Sequence, residues 1–512
     1  AKPVGKAENE QKGIADMART KTTDFNVNEA TVAKLQSAMA AGKVTSARLT
    51  RIYLDRIHKY SDASNKSGLK LNLVRETDPD ALKNAEAMDR ERKTRGPRGP
   101  LHGIPVLIKD NMGTGDKMRT TVGVKALENL KTPFDAFIVK RLREEGAVIL
   151  GKGNVPDFCD YMSSVMPSGF SAVGGILNNP YTGEEYQRGG GSGTGVAGSI
   201  AANLAAIGVG SETQNSIQAP ACNSNIVGIK PTVGLWSRAG IVPLAINQDT
   251  AGPMTRTVRD AALLLGLLAG PDFDDLTTLQ GLGHFHDDYT QFCQPDGLIG
   301  KRIGIARGVF FERENLADHY PVIEQALLKL HEAGAVIVDP APIPTDRFVD
   351  PMPSRVFRTD FKAAFNNFLK SVPDAPVKTM ADVVAFNRKH GEKVVPYGMD
   401  LLEAAEATAG DWSEPEYHFD RARDIRLSRE EGIDACLEAH QLDAILCPMD
   451  RGAKLTGKAG YPAVSLPCGF TKGGLPVGIS FIGTAWSEPT LIKIAYGAEQ
   501  ALKARRKPKL TP

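Results

Sequence analysis

The hydrophobic pattern alternates between stretches of helical periodicity and short apolar runs. Apolar residues recur at helical spacing over residues 29–60, again from Pro79, and over Pro133–Glu145, and the apolar run Gly146–Gly151 that follows predicts a strand. Alternation of this kind indicates an α/β arrangement of layers. The same pattern continues to the end of the chain, where we predict strands at Gly300–Ala306, Ala335–Val338, Ala444–Pro448, Ala463–Pro467 and Val477–Ile482, and helices at Tyr320–Ala333 and Thr490–Lys503.

Two segments differ from this alternation. Residues 1–25 are polar and charged, and we expect them to form an arm on the surface. Residues 345–435 are mostly helical in pattern and carry scattered aromatic residues, for which ordinary core packing is the simplest interpretation. At 512 residues the chain is long enough for one large core or for two to three domains of ordinary size.

Composition narrows the functional classes. A net charge of +2 gives no reason to expect nucleic acid or an anionic membrane as a partner. No apolar run approaches the ~18 residues of a membrane span. The six cysteines include no C-x-x-C pair, so we expect neither a zinc site nor a redox motif. We expect a soluble protein in the cytoplasm, with export after removal of a leader as the alternative, because the chain begins at Ala1.

The stretch from Gly189 to Ser216 contains the first candidate catalytic residues, two serines. A glycine-rich turn, an Ala-rich run over Val196–Ile207 that predicts a buried helix, and a second glycine-flanked turn would bring Ser192 and Ser216 side by side. Three interpretations are open: a small-residue helix packed between layers, a dinucleotide site, or a serine nucleophile that takes its base from elsewhere. The Gly-x-Gly-x-x-Gly pattern at Gly193 follows a polar, turn-forming segment instead of a strand, which argues against the dinucleotide site.

A candidate base lies upstream in Gly103–Asp110, which reads as a short buried strand after a turn. Lys109 stands at its end. A lysine in this position is ordinarily a solvated strand terminus. The functional alternative is a desolvated lysine that is neutral near pH 7 and acts as a general base.

Taken together, these segments resemble the amidase signature family. The matching segments are residues 103–111, 189–195 and 210–216, followed in the family's order by 228–234, 237–238, 249–254 and 459–463. The resemblance is nearest the peptide amidase-like subgroup. It implies a single large α/β domain over residues 26–512, with a central mixed β-sheet flanked by helices, a signature core at 100–260 and a pocket-roofing region at 345–435. It also implies no cofactor and no metal, a small-molecule amide as substrate, and a monomer or homodimer.

The resemblance assigns a Lys–cis-Ser–Ser triad to Lys109, Ser192 and Ser216. Ser216 would be the nucleophile, Ser192, after a cis peptide bond, the proton relay, and Lys109 the base. The backbone N–H groups of Thr213, Gln214, Asn215 and Ser216 would form the oxyanion hole. For the substrate pocket the resemblance suggests Cys159, Tyr161 and Gly191; ordinary packing is the alternative for Cys159 and Tyr161.

The chain departs from the family at the nucleophile, where Gln214-Asn215 replaces the usual Gly-Gly or Asp-Gly, and Gly193 replaces a second serine. We expect an amidase that acts on linear amides, on C–N bonds other than peptide bonds. The alternatives are a non-catalytic or altered-specificity member that acts on carbamates or esters, and a glutamine-hydrolysing amidotransferase subunit. No G-x-S-x-G elbow is present, which argues against a Ser–His–Asp hydrolase.

Overall fold

The fold is built on one mixed sheet of eleven strands. The structure, a computed structural model, describes residues 25–62, 69–187, 190–349 and 354–510, so residues 1–24 of the predicted arm lie outside the described residues. The strands lie in the order β1-β3-β2-β4-β6-β5-β10-β11-β9-β7-β8. They span β1 Val74–Thr77, β2 Pro105–Lys109, β3 Val148–Gly153, β4 Ile207–Glu212, β5 Val227–Lys230, β6 Thr250–Thr255, β7 Arg302–Ile305, β8 Val336–Val338, β9 Ala444–Pro448, β10 Ala463–Phe470 and β11 Pro476–Ile482.

Parallel and antiparallel pairs coexist in this sheet. β2 is parallel to both β3 and β4, and β7 is parallel to both β8 and β9, whereas the pairs that join these two groups through β6, β5, β10 and β11 are antiparallel. The late strands β10 and β11 lie between β5 and β9, inside the sheet. The predicted single α/β domain with a mixed sheet is confirmed.

Helices flank the sheet. They span α1 Val32–Ala40, α2 Ser46–Tyr60, α3 Ala81–Arg95, α4 Phe137–Glu144, α5 Thr194–Ala201, α6 Gln218–Asn223, α7 Val258–Leu268, α8 Tyr320–Glu332, α9 Asp346–Val349, α10 Val356–Lys370, α11 Met380–His390, α12 Asp400–Glu406, α13 Pro415–Ser428, α14 Ala435–Ala439, α15 Ala453–Ala459 and α16 Glu488–Leu502. At the start of α7 the Thr257 side chain accepts a hydrogen bond from Asp260 N and so caps the helix.

The predicted helix over Val196–Ile207 is shorter than expected. Helix α5 ends at Ala201, and Ile207 begins β4, so that Gly210 lies in a strand and not in a turn. Gly210 leaves room for a neighbouring strand, because a Cβ there would lie 2.5 Å from the sulfur of Met254. Strands β5 and β6 are likewise not predicted by the apolar pattern.

The helices of residues 356–406 pack on the segment that follows β3. A second apolar cluster joins them to that segment, and its centre is a set of edge-to-face aromatic contacts. The ring centroids of Phe158 and Phe361 are 5.1 Å apart, and those of Phe158 and Phe365 are 5.2 Å apart. This packing holds the 157–160 segment, which carries Cys159, against α10.

Candidate active site

Lys109 ends a strand that is paired on both sides. β2 is hydrogen-bonded to β3 and β4, and every residue of β2 is buried. The turn at residues 110–111 follows β2, and there Lys109 and Asn111 both contact Ser211 Oγ, whereas Asp110 points to the other side. On that other side Asp110 accepts two hydrogen bonds from the Arg75 guanidinium, at 2.6 and 2.8 Å, and one from the Thr121 hydroxyl at 2.5 Å. The ion pair between Arg75 and Asp110 therefore holds the end of β2 in place on the side opposite Lys109.

The Lys109 ammonium nitrogen has three oxygen partners. It lies 2.6 Å from Ser192 Oγ, 2.9 Å from Ser211 Oγ and 3.0 Å from the Ser211 carbonyl oxygen. Burial lowers the pKa of Lys109 below its ordinary value, and the nearby Cys159 thiol only partly opposes this effect. A buried lysine with a lowered pKa, bonded to a serine hydroxyl, has the arrangement of a general base.

Ser192 is fully buried in the turn that enters α5. Gly191 precedes it with φ +80°, and a Cβ at Gly191 would lie 2.5 Å from Cδ of Pro220 and 2.9 Å from the Asn215 carbonyl oxygen. The expected cis peptide bond before Ser192 is absent: among the described residues the cis bond is Asp339–Pro340. The positive φ of Gly191 makes the turn into Ser192 instead.

Ser216 follows β4 in a turn that is held at both ends. Glu212, the last residue of β4, accepts hydrogen bonds from the backbone N–H groups of Ile217 at 2.7 Å and Gln218 at 2.9 Å. The Gly193 N–H donates to the Ser216 carbonyl oxygen at 2.9 Å, which joins the two serine turns. Within the described ranges, no hydrogen bond is formed by the Ser216 hydroxyl, so the two serine hydroxyls lie in adjoining turns without a direct bond.

The turn Thr213–Ser216 is also anchored from the segment before β6. The Thr213 hydroxyl donates to Asp249 Oδ1 at 2.6 Å, and the Gln214 side-chain amide donates to Gln248 Oε1 at 3.0 Å. Burial raises the pKa of Asp249, and the hydrogen bond from Thr213 partly opposes this. Asn215 does not adopt a positive φ, so an asparagine in place of glycine strains no backbone here.

Helix α15 closes the turn from above. Gly457 faces it so closely that a Cβ would lie 2.7 Å from the Thr213 carbonyl oxygen and 3.0 Å from Cγ of Gln214. The Thr456 hydroxyl lies 3.2 Å from the Gln218 side-chain amide. A helix from the C-terminal part of the chain therefore sets the position of the turn.

A cavity of about 280 Å³ opens beside Lys109 and Ser192, and among the described residues its wall includes neither Ser216 nor Gln214 nor Asn215. Its wall combines polar residues of the signature core with apolar residues from three parts of the chain. Arg238 lies in the wall but is already paired with Asp275, whose carboxylate it contacts at 2.5 Å. The residues that line the cavity include Lys109, Asn111, Cys159, Ser192, Ser211, Thr213, Val242, Leu244, Asp249, Ala364, Asn367, Phe368 and Trp412.

The predicted pocket residues have different positions. Cys159 lines the cavity, and burial raises the pKa of its thiol. It lies in three successive residues of positive φ, 46° at Phe158, 54° at Cys159 and 76° at Asp160, a strained backbone that is found mainly at functional sites. Tyr161 and Gly191 are not part of the cavity wall; the Tyr161 ring stacks on Phe357 with centroids 4.1 Å apart.

Two residues that no sequence motif singles out complete the contacts of Lys109. Ser211 supplies two of its three partners, and Asn111 donates to Ser211 Oγ at 2.9 Å. Asn111 lies in the turn that follows β2, where the alternation of strand side chains no longer applies. Ser211 has no local signal either, since the segment around it reads as a turn.

All six cysteines are buried and unpaired in the structure. In the described part of the chain, no three or more His, Cys, Asp or Glu side chains group together as metal ligands would. The described helices also include none with the length and apolar character needed to cross a membrane.

Comparison with known proteins agrees with this geometry. The sequence model of the amidase family matches residues 48–458. A probable amidase from Arabidopsis thaliana is 38% identical over 506 residues, which cover 97% of this chain and 94% of the relative. The X-ray structure of native peptide amidase from Stenotrophomonas maltophilia has a TM-score of 0.86 and 42% identity, covering 94% of this chain and 99% of that one.

A more distant relative is a glutamyl-tRNA(Gln) amidotransferase subunit from Myxococcus xanthus. It is 30% identical over 504 residues, which cover 93% of this chain and 98% of the relative. The family model matches most of the chain, and each of these relatives covers more than nine-tenths of it. The chain therefore belongs to the amidase signature family of hydrolases.

Proposed function

We propose that this protein hydrolyses carboxylic amides of small linear or aryl substrates, at C–N bonds other than peptide bonds, through an acyl-enzyme on Ser216. The observation that carries the proposal is the 2.6 Å contact between Lys109 Nζ and Ser192 Oγ at a buried position. A serine hydroxyl is a poor nucleophile unless a base takes its proton. Lys109 with its lowered pKa is such a base.

Acylation proceeds by proton transfer along the three residues. Ser216 Oγ attacks the carbonyl carbon while its proton passes to Ser192, and the Ser192 proton passes to neutral Lys109. When the C–N bond breaks, Lys109 returns a proton through Ser192 to the leaving nitrogen. Water then attacks the acyl ester of Ser216 with the same relay as base, and this step releases the acid and restores the serine.

The turn Thr213–Ser216 is the proposed oxyanion hole. Glu212 occupies the N–H groups of Ile217 and Gln218. None of the backbone hydrogen bonds formed between the described residues uses the N–H groups of Thr213–Ser216 as donors. Free donors next to the nucleophile support a site for the developing negative charge, where each donor contributes about 3–4 kcal/mol.

The cavity supports a neutral acyl group. Its apolar wall includes Val242, Leu244, Phe368 and Trp412, and the guanidinium of Arg238 is already paired. Phe368 and Trp412 come from the segment 345–435, which supports the proposal that this segment roofs the pocket. The proposed amidase domain spans residues 26–512, with its signature core at 100–260.

The altered turn at Gln214-Asn215 is the reason to retain a second candidate, a non-catalytic member or one that acts on carbamates or esters. Because Asn215 has an ordinary φ and the Gln214 side chain is held by Gln248, the replacement fits the turn without strain. The similarity to an amidotransferase component favours a third, glutamine-hydrolysing candidate. Release of ammonia from glutamine, compared with release from aliphatic and aryl amides, separates the third candidate from the first.

A labelling experiment tests the proposal directly. The protein is treated with a fluorophosphonate, and the adduct is located by peptide mass spectrometry. We expect one adduct on Ser216, no adduct in Ser216→Ala, and undiminished labelling in Ser199→Ala, since Ser199 is a fully buried serine of α5 whose hydroxyl forms no hydrogen bond with a described residue. Labelling that persists in Ser216→Ala, or that lies on another serine, would contradict the nucleophile assignment.

A further inference from the structure

Asn111 shares the cavity with the proposed catalytic residues. It lies two positions after Lys109, on the same side of the strand end, and it is 3% exposed. Its side-chain nitrogen Nδ2 donates a hydrogen bond to Ser211 Oγ at 2.9 Å. The same Ser211 oxygen lies 2.9 Å from Lys109 Nζ, so Asn111 and Lys109 are held by one hydroxyl.

The other end of the Asn111 amide is unpaired. Its carbonyl oxygen Oδ1 is buried and has no hydrogen-bond partner among the described residues. Buried carbonyl oxygens are nearly always hydrogen-bonded, because a lost donor is costly away from water. Since Asn111 lines the cavity and its nitrogen donates to Ser211, a molecule in the cavity can supply the missing donor.

We propose that Asn111 Oδ1 accepts a hydrogen bond from the N–H of the leaving amide nitrogen and thereby selects carboxamides over esters of the same acyl group. This inference rests on the proposed function. An amide nitrogen with an N–H is a donor, whereas the alkoxy oxygen of an ester is not, so only the amide satisfies Oδ1. Asn111 is thus a substrate-binding residue on the side of the cavity where Lys109 and Ser192 return the proton to the leaving nitrogen.

The kinetic test compares a primary carboxamide with the methyl ester of the same acid. Leucine has the same number and branching of side-chain heavy atoms as asparagine but no acceptor, so we expect Asn111→Leu to lower kcat/KM for the amide about tenfold more than for the ester. Ser211→Ala removes the hydroxyl that holds both Lys109 and Asn111, so we expect it to lower both activities and also to weaken the preference for the amide. An equal loss for amide and ester in Asn111→Leu would overturn the inference, because it would show that Oδ1 does not distinguish the two leaving groups.

A binding measurement separates this inference from the proposed hydrolysis. In Ser216→Ala, which cannot form the acyl-enzyme, calorimetry gives the affinities for the carboxamide and for the ester without turnover. With Asn111 intact we expect the amide to bind about tenfold more tightly, and with Asn111→Leu added we expect that difference to disappear.

Equal affinities with Asn111 intact would overturn the inference whether or not any Asn111 variant folds, and would mean that a water molecule satisfies Oδ1. Preferential amide binding by a protein that hydrolyses no amide would instead sustain the inference and refute the proposed function.

Discussion

A substitution on helix α15 tests whether the turn before Ser216 stabilises the transition state. In Gly457→Ala the new Cβ would lie 2.7 Å from the Thr213 carbonyl oxygen. Ordinary contact needs about 3.4 Å, so the oxygen has to move by about 0.7 Å. That oxygen belongs to the same rigid peptide plane as the N–H of Gln214, and the movement tips a proposed oxyanion donor away from the substrate.

The expected size follows from this partial displacement. Loss of a whole oxyanion donor costs a factor of about 10² to 10³ in kcat. We therefore expect Gly457→Ala to lower kcat by about tenfold to hundredfold, with KM nearly unchanged, and overpacking to lower the free energy of unfolding by about 1–3 kcal/mol.

The assay measures steady-state hydrolysis of an amide together with urea denaturation. Gly473→Ala is the control, because a Cβ there would meet only Thr471 Oγ1, at 3.7 Å. It should change neither quantity. A kcat within about twofold of the original in Gly457→Ala, at a stability that fell as expected, would refute the reasoning that the turn supplies the oxyanion hole.

Three further predictions concern the same site and its surroundings. Because burial lowers the pKa of Lys109, kcat/KM should rise with pH and level off below the titration range of ordinary lysines. Lys109→Met should lose about 10²- to 10⁴-fold in kcat/KM and the rise with it, and an unchanged pH profile would contradict the base assignment. Burial also lowers the pKa of Lys230 to about 8, so between that pH and the pKa of about 10 of a free lysine the unfolded chain binds more protons than the folded one, and the free energy of unfolding should increase by up to about 1.4 kcal/mol per pH unit. Urea denaturation of Lys230→Met should show a smaller increase over this pH range. An equal increase in both proteins would show that Lys230 does not become neutral in its buried position. Asn215→Gly should change the relative rates across a panel of amides and esters while lowering the free energy of unfolding by only about 0.5–1 kcal/mol. Unchanged relative rates together with a large loss of stability would contradict this prediction.

Strands with strong apolar patterns can be predicted from sequence, and strands made of small residues cannot. Ala444–Pro448 is predicted to the residue because a β-branched and aliphatic run is bounded by turn formers. β4 and β6 contain Gly208, Gly210 and Gly252, which read as turn residues when taken alone. Their place in the sheet is set by side chains from elsewhere that fill the space above each glycine, such as Val196 against Gly208.

The site is predictable to a similar extent. The contact of Lys109 with Ser192 is implied by family resemblance, and the structure places the two side chains within hydrogen-bonding distance. The role of Ser211 depends on the register of β4 against β2, which is a tertiary property that no local pattern encodes. The expected cis bond before Ser192 is wrong for the same kind of reason, since the conformation of that turn depends on how Gly191 packs against Pro220.

The order of the strands has a consequence for biosynthesis. β10 pairs with β5, and β11 pairs with β9, so the last strands to leave the ribosome occupy the interior of the sheet. Until Ala463–Phe470 has emerged, the first half of the protein exposes the unpaired edge of β5, and such edges pair readily with other chains. A chain that stops before residue 463 therefore lacks the strand that covers β5 and leaves this edge open to pairing with other chains.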